Sequence, residues 1–153
     1  FAGHPEGHPR AETPAIEAAL DEKLRLAAGE GFSTSIVTQF GFDGDAVADW
    51  ILAGRRRGRT APVKVGLAGV TSLARLIKFA TLSGVGPSLR FLRSRGGSAA
   101  RLLRDDDPGP LIDRIAARLA GEVEPGTVGL HFFTFGSAQK TLDWLNRRLQ
   151  KAG

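Results

Sequence analysis

Apolar and polar positions along the chain follow two rhythms: short β-branched runs, and longer stripes at helical spacing. Ile36-Val37-Thr38 is a short run bounded by Gly/Ser-rich sequence, which predicts a buried strand ending at Gln39. Pro62-Val63-Lys64-Val65-Gly66-Leu67 predicts a second strand, and Gly129 through Phe135 a third. Phe1-Ala2-Gly3 fits the end of another. Between them lie amphipathic stretches. Pro14 suits the first turn of a helix running to about Ala28, with Ile16, Leu20, Leu24 and Ala27 on one face and Gly29 and Gly31 as its stop. Asp43 or Asp45 caps the next helix, which turns Ala46, Val47, Trp50, Ile51 and Ala53 inward. Thr71 or Ser72 caps a helix carrying Leu73, Leu76, Ile77, Ala80 and Leu82. Two short helical stretches make an insertion near 87–106. Ile112, Ile115, Leu119 and Val123 form a further stripe, and Ser137 opens a last helix with Leu142, Leu145 and Leu149 inward.

Strands alternating with helices at this spacing predict an α/β fold with a parallel sheet and right-handed crossovers. No G-x-G-x-x-G follows the first strand and no G-x-x-x-x-G-K-[ST] occurs, so dinucleotide folds of Rossmann type and phosphate-loop NTPases lose ground. Four βα units fit the second half of a (β/α)8 TIM-type barrel, with outer helices, better than a complete small domain. Residues 1–153 are then one half of a single barrel domain, the N-terminal half lying elsewhere. A half barrel leaves two open strand edges and an uncovered inner face, and is not expected to be stable alone. Phe1 in place of an initiator, in a chain with no Met, also leads us to expect a fragment.

Composition narrows the chemistry. With no Cys there is no disulfide, thiolate nucleophile or thiolate-bound metal, which fits a cytoplasmic protein. No window approaches 18 uninterrupted apolar residues, so no membrane span is expected, and the N-terminus does not read as a signal peptide. The net charge of +5 is densest at Arg55-Arg56-Arg57-Gly58-Arg59. Without interleaved aromatics this run reads as a solvated helix end, favourable to the macrodipole, and no nucleic-acid partner is expected. Asp105-Asp106-Asp107 before Pro108 reads as a solvated helix start, with a metal cluster the lesser reading. His4 and His8, four apart in a Pro-bounded loop, lack a third ligand nearby, so no metal is expected. His131 alternates with Leu130 and Phe132 and reads as a core or supporting histidine.

Gln39 stands at a strand's C-terminal end, where parallel α/β sheets bind ligands. Its carboxamide sets a donor beside an acceptor, suited to the amide-like edge of a heterocycle. A strand-end Gln bonding to a neighbouring loop is the bland alternative.

Four motifs in order, His4-Pro5-Glu6-Gly7-His8-Pro9, Thr38-Gln39-Phe40-Gly41-Phe42-Asp43, Val65-Gly66-Leu67 and Gly129 through Thr134, resemble the methylenetetrahydrofolate reductase family along essentially the whole chain. The resemblance implies an enzyme of one-carbon and methionine metabolism. It would reduce 5,10-methylenetetrahydrofolate to 5-methyltetrahydrofolate, with hydride passing from NADH or NADPH through bound FAD, and the family's oligomeric habit suggests a homo-oligomer. The same resemblance implies that Gln39 contacts the pterin, Ala2, His4 and His8 contact FAD, and Lys23 reaches its phosphates. Phe133 and Leu73 would cover the two faces of the folate or nicotinamide ring.

The chain departs from the family's pattern in several places. His4 stands where Tyr is usual, Leu73 where Phe is usual, and Gly136-Ser137 where Asn-Arg follows the last strand, removing a cationic contact. No catalytic acid falls within the chain; it is expected in the other half. Opening a pterin methylene bridge needs such an acid and a hydride donor stacked on the ring. Alternatives are a tetrahydrofolate-dependent methyltransferase or demethylase, or a flavin-independent folate reductase, on the same barrel. A basic binding module using Arg55 to Arg59 is a more distant one.

Overall fold

The computed structural model describes residues 1–8, 10–72, 75, 78, 79, 107–124 and 126–152. Its order is β1 (Ala2–Gly3), α1 (Thr13–Gly29), β2 (Ile36–Thr38), α2 (Gly44–Arg56), β3 (Val63–Ala68), α3 (Gly109–Leu119), β4 (Val128–Phe133) and α4 (Ala138–Ala152). The helix expected to start at Thr71 or Ser72, Leu73 with it, and the insertion near 87–106 lie outside the described residues, apart from Arg75, Lys78 and Phe79.

All four strands are parallel, and they lie side by side in chain order. The helices sit on one side of this sheet. Ile36, Val63, Val65 and Leu67 form a single buried cluster with Leu20 of α1, Val47, Ala48, Trp50 and Ile51 of α2, and Ile115 and Leu119 of α3. Phe132 meets Trp144 of α4 with ring centroids 5.9 Å apart. Strand side chains alternate, so Val37, Lys64, Gly66, His131 and Phe133 belong to the opposite face. No described helix covers that face, and Lys64 there is exposed.

Local sequence explains the helix starts. Asp43 accepts hydrogen bonds from the Asp45 and Ala46 backbone N–H groups at 3.0 and 3.1 Å, satisfying donors that the first turn leaves free. Pro14 lies in the first turn of α1, where its missing N–H costs nothing.

The basic run is only partly solvated, which corrects the sequence expectation. Arg56 and Arg57 are exposed, but Arg59 is only 7% exposed. Its guanidinium stacks over Trp50, 5.6 Å from the ring centroid, and ion-pairs with Glu17 at 2.8 Å and Asp21 at 2.5 Å on α1. Glu17 also accepts from Trp50 Nε1 at 2.7 Å. Arg55 donates to the carbonyls of Arg59, Ala61 and Thr127. These arginines tie α1, α2 and the entry to β4 together.

Asp107 differs similarly. Rather than standing in solvent it is half-buried, and its Oδ1 accepts from Trp144 Nε1 and from Gly109 N, both at 2.8 Å. Leu142 and Leu149, expected to face inward, are 52% and 62% exposed. The helical stripe is real, but no described element covers it.

Candidate functional site

The C-terminal ends of the strands gather several of the residues that the sequence singled out, namely His4, His8, Gln39 and Phe133. Gly3 lies opposite Thr38 in the β1–β2 register, so the next residues, His4 and Gln39, emerge side by side. Gln39 N donates to Gly3 O at 2.9 Å, continuing the ladder one step beyond the strands. Both residues line a small cavity of about 10 Å³ with Pro5, Glu6, Gly7, Phe40 and Gly41. That is room for roughly one water molecule.

Glu6 holds this corner in shape. Its Oε1 accepts the backbone N–H groups of Phe42 at 2.6 Å and Asp43 at 2.9 Å, bridging the loop after β1 to the loop after β2. The carboxylate comes so close to Gly41 that a Cβ there would lie 2.5 Å from Oε1. Thr38 does the same for the β2–β3 side. Its hydroxyl accepts Gly66 N–H at 2.7 Å and donates to Gln39 O at 3.0 Å. This side chain replaces a backbone acceptor in the ladder and sets where Gln39 leaves the sheet. Gly66 is again a close approach, since a Cβ would sit 2.2 Å from Thr38 O. The sequence placed Glu6 and Gly66 within motifs but did not assign these roles.

Aromatic rings line the same end. Phe40 is buried and meets Phe133 edge-on at 5.7 Å and Phe135 at 5.0 Å. Phe133 and Phe135 lie nearly parallel, 20° apart, with centroids at 6.3 Å, and His131 meets Phe133 at 4.7 Å. Phe135, in the loop after β4, adopts φ 48°, a left-handed conformation uncommon for an aromatic residue, and β4 ends at Phe133 rather than running on to Phe135. Arg75, which the sequence reading did not single out, donates to Phe135 O at 3.3 Å and Ser137 Oγ at 2.9 Å. It thereby brings a guanidinium to the loop after β4.

His4 Nδ1 is buried without a hydrogen-bond partner. Burial lowers the imidazole pKa; the hydrogen-bonding influence of the Gln39 carboxamide opposes it but is the smaller effect. The ring is therefore neutral at pH 7. His8 is half-buried, meets His4 edge-on at 5.4 Å, and accepts Arg10 N–H on Nδ1 at 3.2 Å. Ala2 is exposed on β1 beside Val37. Lys23 is exposed on α1, and its charge is still felt at His4. Leu73 lies outside the described residues. The structure thus brings His4, His8 and Gln39 together, and Phe133 joins them through Phe40.

A larger hollow of about 630 Å³ lies between the ends of α2 and α3, lined by Arg55, Arg59 and Glu122 to Glu124. It opens beside Thr127, before β4 begins, away from Gln39. Arg55 and Arg59 are already engaged with carbonyls and carboxylates there, which leaves no cradle for an anion. Among the described residues no group of three or more His, Asp or Glu side chains is placed to hold a metal ion, and no helix is long and apolar enough to cross a membrane.

Compared with known protein families, the sequence matches no family model.

Proposed function

We propose that this chain is half of a (β/α)8 reductase barrel that binds FAD and a reduced folate at the C-terminal ends of its strands. It would convert 5,10-methylenetetrahydrofolate to 5-methyltetrahydrofolate at the expense of NADH or NADPH. The observation that carries the reading is the register neighbourhood of His4 and Gln39 at the same strand ends as Phe133. Sequential parallel strand order with helices on one face supports the barrel over a doubly wound sheet, whose strand order reverses and whose helices cover both faces.

The local cavity is too small to enclose a ring system, so the heterocycles would lie across the open strand ends and be closed over by the other half of the barrel. Gln39 would present its donor and acceptor to the pterin edge, and the Phe133 ring would bear on one face of the folate or nicotinamide ring. His4, with a buried nitrogen lacking a partner, fits a polar ligand at this end; with Ala2, His8 and Lys23 it would hold FAD. Bound flavin supplies the hydride relay between nicotinamide and folate. The acid that opens the methylene bridge would come from the other half.

The test is an absorbance spectrum of the intact barrel protein, followed by NADH oxidation with methylenetetrahydrofolate. Flavin bands and folate-dependent oxidation are expected, with Gln39→Leu weakening folate use by about tenfold or more through loss of a paired hydrogen bond. Absence of both, even with added FAD, would overturn the reductase reading.

A further inference from the structure

His4 and Gln39 are neighbours by construction. Each is the first residue beyond its strand, and the two strands end in register at Gly3 and Thr38. The backbone of Gln39 is fixed from three sides, by Gly3 O on its N–H, by Thr38 Oγ1 on its carbonyl, and by Gly66 packed beneath it. What that framework leaves open is which end of the carboxamide faces outward. A Gln side chain can be turned over to exchange its oxygen and its NH2 group, and only neighbouring hydrogen-bonding groups choose between the two. The one side chain beside it in the cavity with a nitrogen able both to donate and to accept is the imidazole of His4.

We propose that His4 is a positioning residue for Gln39, selecting whether the amide oxygen or the NH2 group is presented to a ligand at the strand ends. As applied to a pterin this rests on the reductase reading. The coupling between the two side chains does not.

A neutral imidazole accepts through one nitrogen and donates through the other, so it can hold the amide in the orientation that shows a ligand both donor and acceptor. An imidazolium only donates. It would draw the Gln39 oxygen to itself, the bond that favours the charged ring, and turn the NH2 outward, aiming the acceptor away from the amide-like heterocycle edge that requires it. The charged groups around the ring are few. Glu6 and His8 lie in its own loop, and Glu17 and Lys23 act on it from α1. Glu17 favours the charged form while His8 and Lys23 disfavour it, and burial outweighs each of them. Ligand recognition at Gln39 is therefore present at neutral pH and is lost as pH falls through the His4 midpoint, which lies below the ordinary histidine value.

The experiment is a pH titration of the uniformly nitrogen-15-labelled full chain, following the His4 ring nitrogens and the Gln39 side-chain NH2 by NMR. No flavin or folate is needed, so this result stands apart from the outcome of the reductase assay. The Gln39 signals are expected to titrate with the same midpoint as His4, to lose that dependence in His4→Phe, and to keep it in His8→Phe. If the phenylalanine variant at position 4 does not fold, the wild-type comparison decides. Gln39 signals that stay still while His4 titrates, or that titrate with the midpoint of His8, would overturn the proposal.

Discussion

Thr38 shows how one hydroxyl couples the fold to the site. It is fully buried, takes the Gly66 N–H and supports the Gln39 carbonyl, so it stands in the ladder and at the ligand end together. Thr38→Val keeps the shape and removes the acceptor, leaving a buried backbone donor unpaired. A loss of about 1–3 kcal/mol is expected, read as a lower urea midpoint with an unchanged slope. Gln39 itself was legible, since a polar residue closing a β-branched run points to a strand end. The groups that fix it were not. Glu6 reaches 36 and 37 residues along the chain to Phe42 and Asp43, and no local pattern announces such a contact.

At the scale of elements, the caps and stripes could be read because their causes are local: Asp43 bonds within its own first turn, and Leu20 and Ala27 recur at helical spacing. Arg59 could not, because the reason for its burial lies on another helix. The sequence shows a cationic cluster after α2; the fold folds one member back over Trp50 onto Glu17 and Asp21. Arg59→Leu strips Asp21 and the largely buried Glu17 of a shared partner, but Glu17 keeps its ion pair with Arg57 and its bond from Trp50, so the cost in urea unfolding should be about 1–3 kcal/mol. Arg56→Leu, on the exposed side of the same run, should change stability by less than about 0.5 kcal/mol. Asp45 makes a second, more exposed link, from α2 to Arg114 and Arg118 of α3. The Arg114 hydrogen bond, aided by Arg118, holds its carboxyl below the usual carboxylate range. A depressed folded-state pKa contributes stability above the unfolded value and loses it as pH falls through the folded one. The difference in thermal midpoint between wild type and Asp45→Asn should therefore be present at pH 7 and vanish in strongly acidic buffer. A difference that persists there would place the effect in helix capping rather than in the ion pair.

Among the described residues, three surfaces of the sheet and its helices lie uncovered, and this bears on where the sequence expectation for the last helix failed. Leu142 and Leu149 obey helical spacing, yet they are exposed because that stripe needs a neighbour which the described chain does not supply. Leu130, 42% exposed on β4, flanks a strand whose outer edge pairs with nothing among the described residues. Across the sheet from the helices, Val37, Gly129 and His131 surround the exposed Lys64, a face that in a closed barrel would be interior. An open parallel edge beside uncovered leucines invites association with any similar edge. The isolated 153-residue chain should thus self-associate with rising concentration in sedimentation experiments. Replacing Leu130 with Lys and Leu149 with Glu together should suppress that association, since edge charges oppose strand pairing and neither side chain contributes to the buried cluster. Urea stability of the monomer should change by less than about 1 kcal/mol, as expected for exposed positions. In a protein carrying the other half of the barrel, the same pair of substitutions should do the opposite of harmless. If the chain is half of a barrel they would fall in the seam between halves, so the assembled barrel should lose stability while the chain alone gains solubility. A pair that leaves both proteins unchanged would mean that this edge is solvent-facing in the complete molecule, and the half-barrel reading would have to give way to a smaller, self-contained α/β sheet.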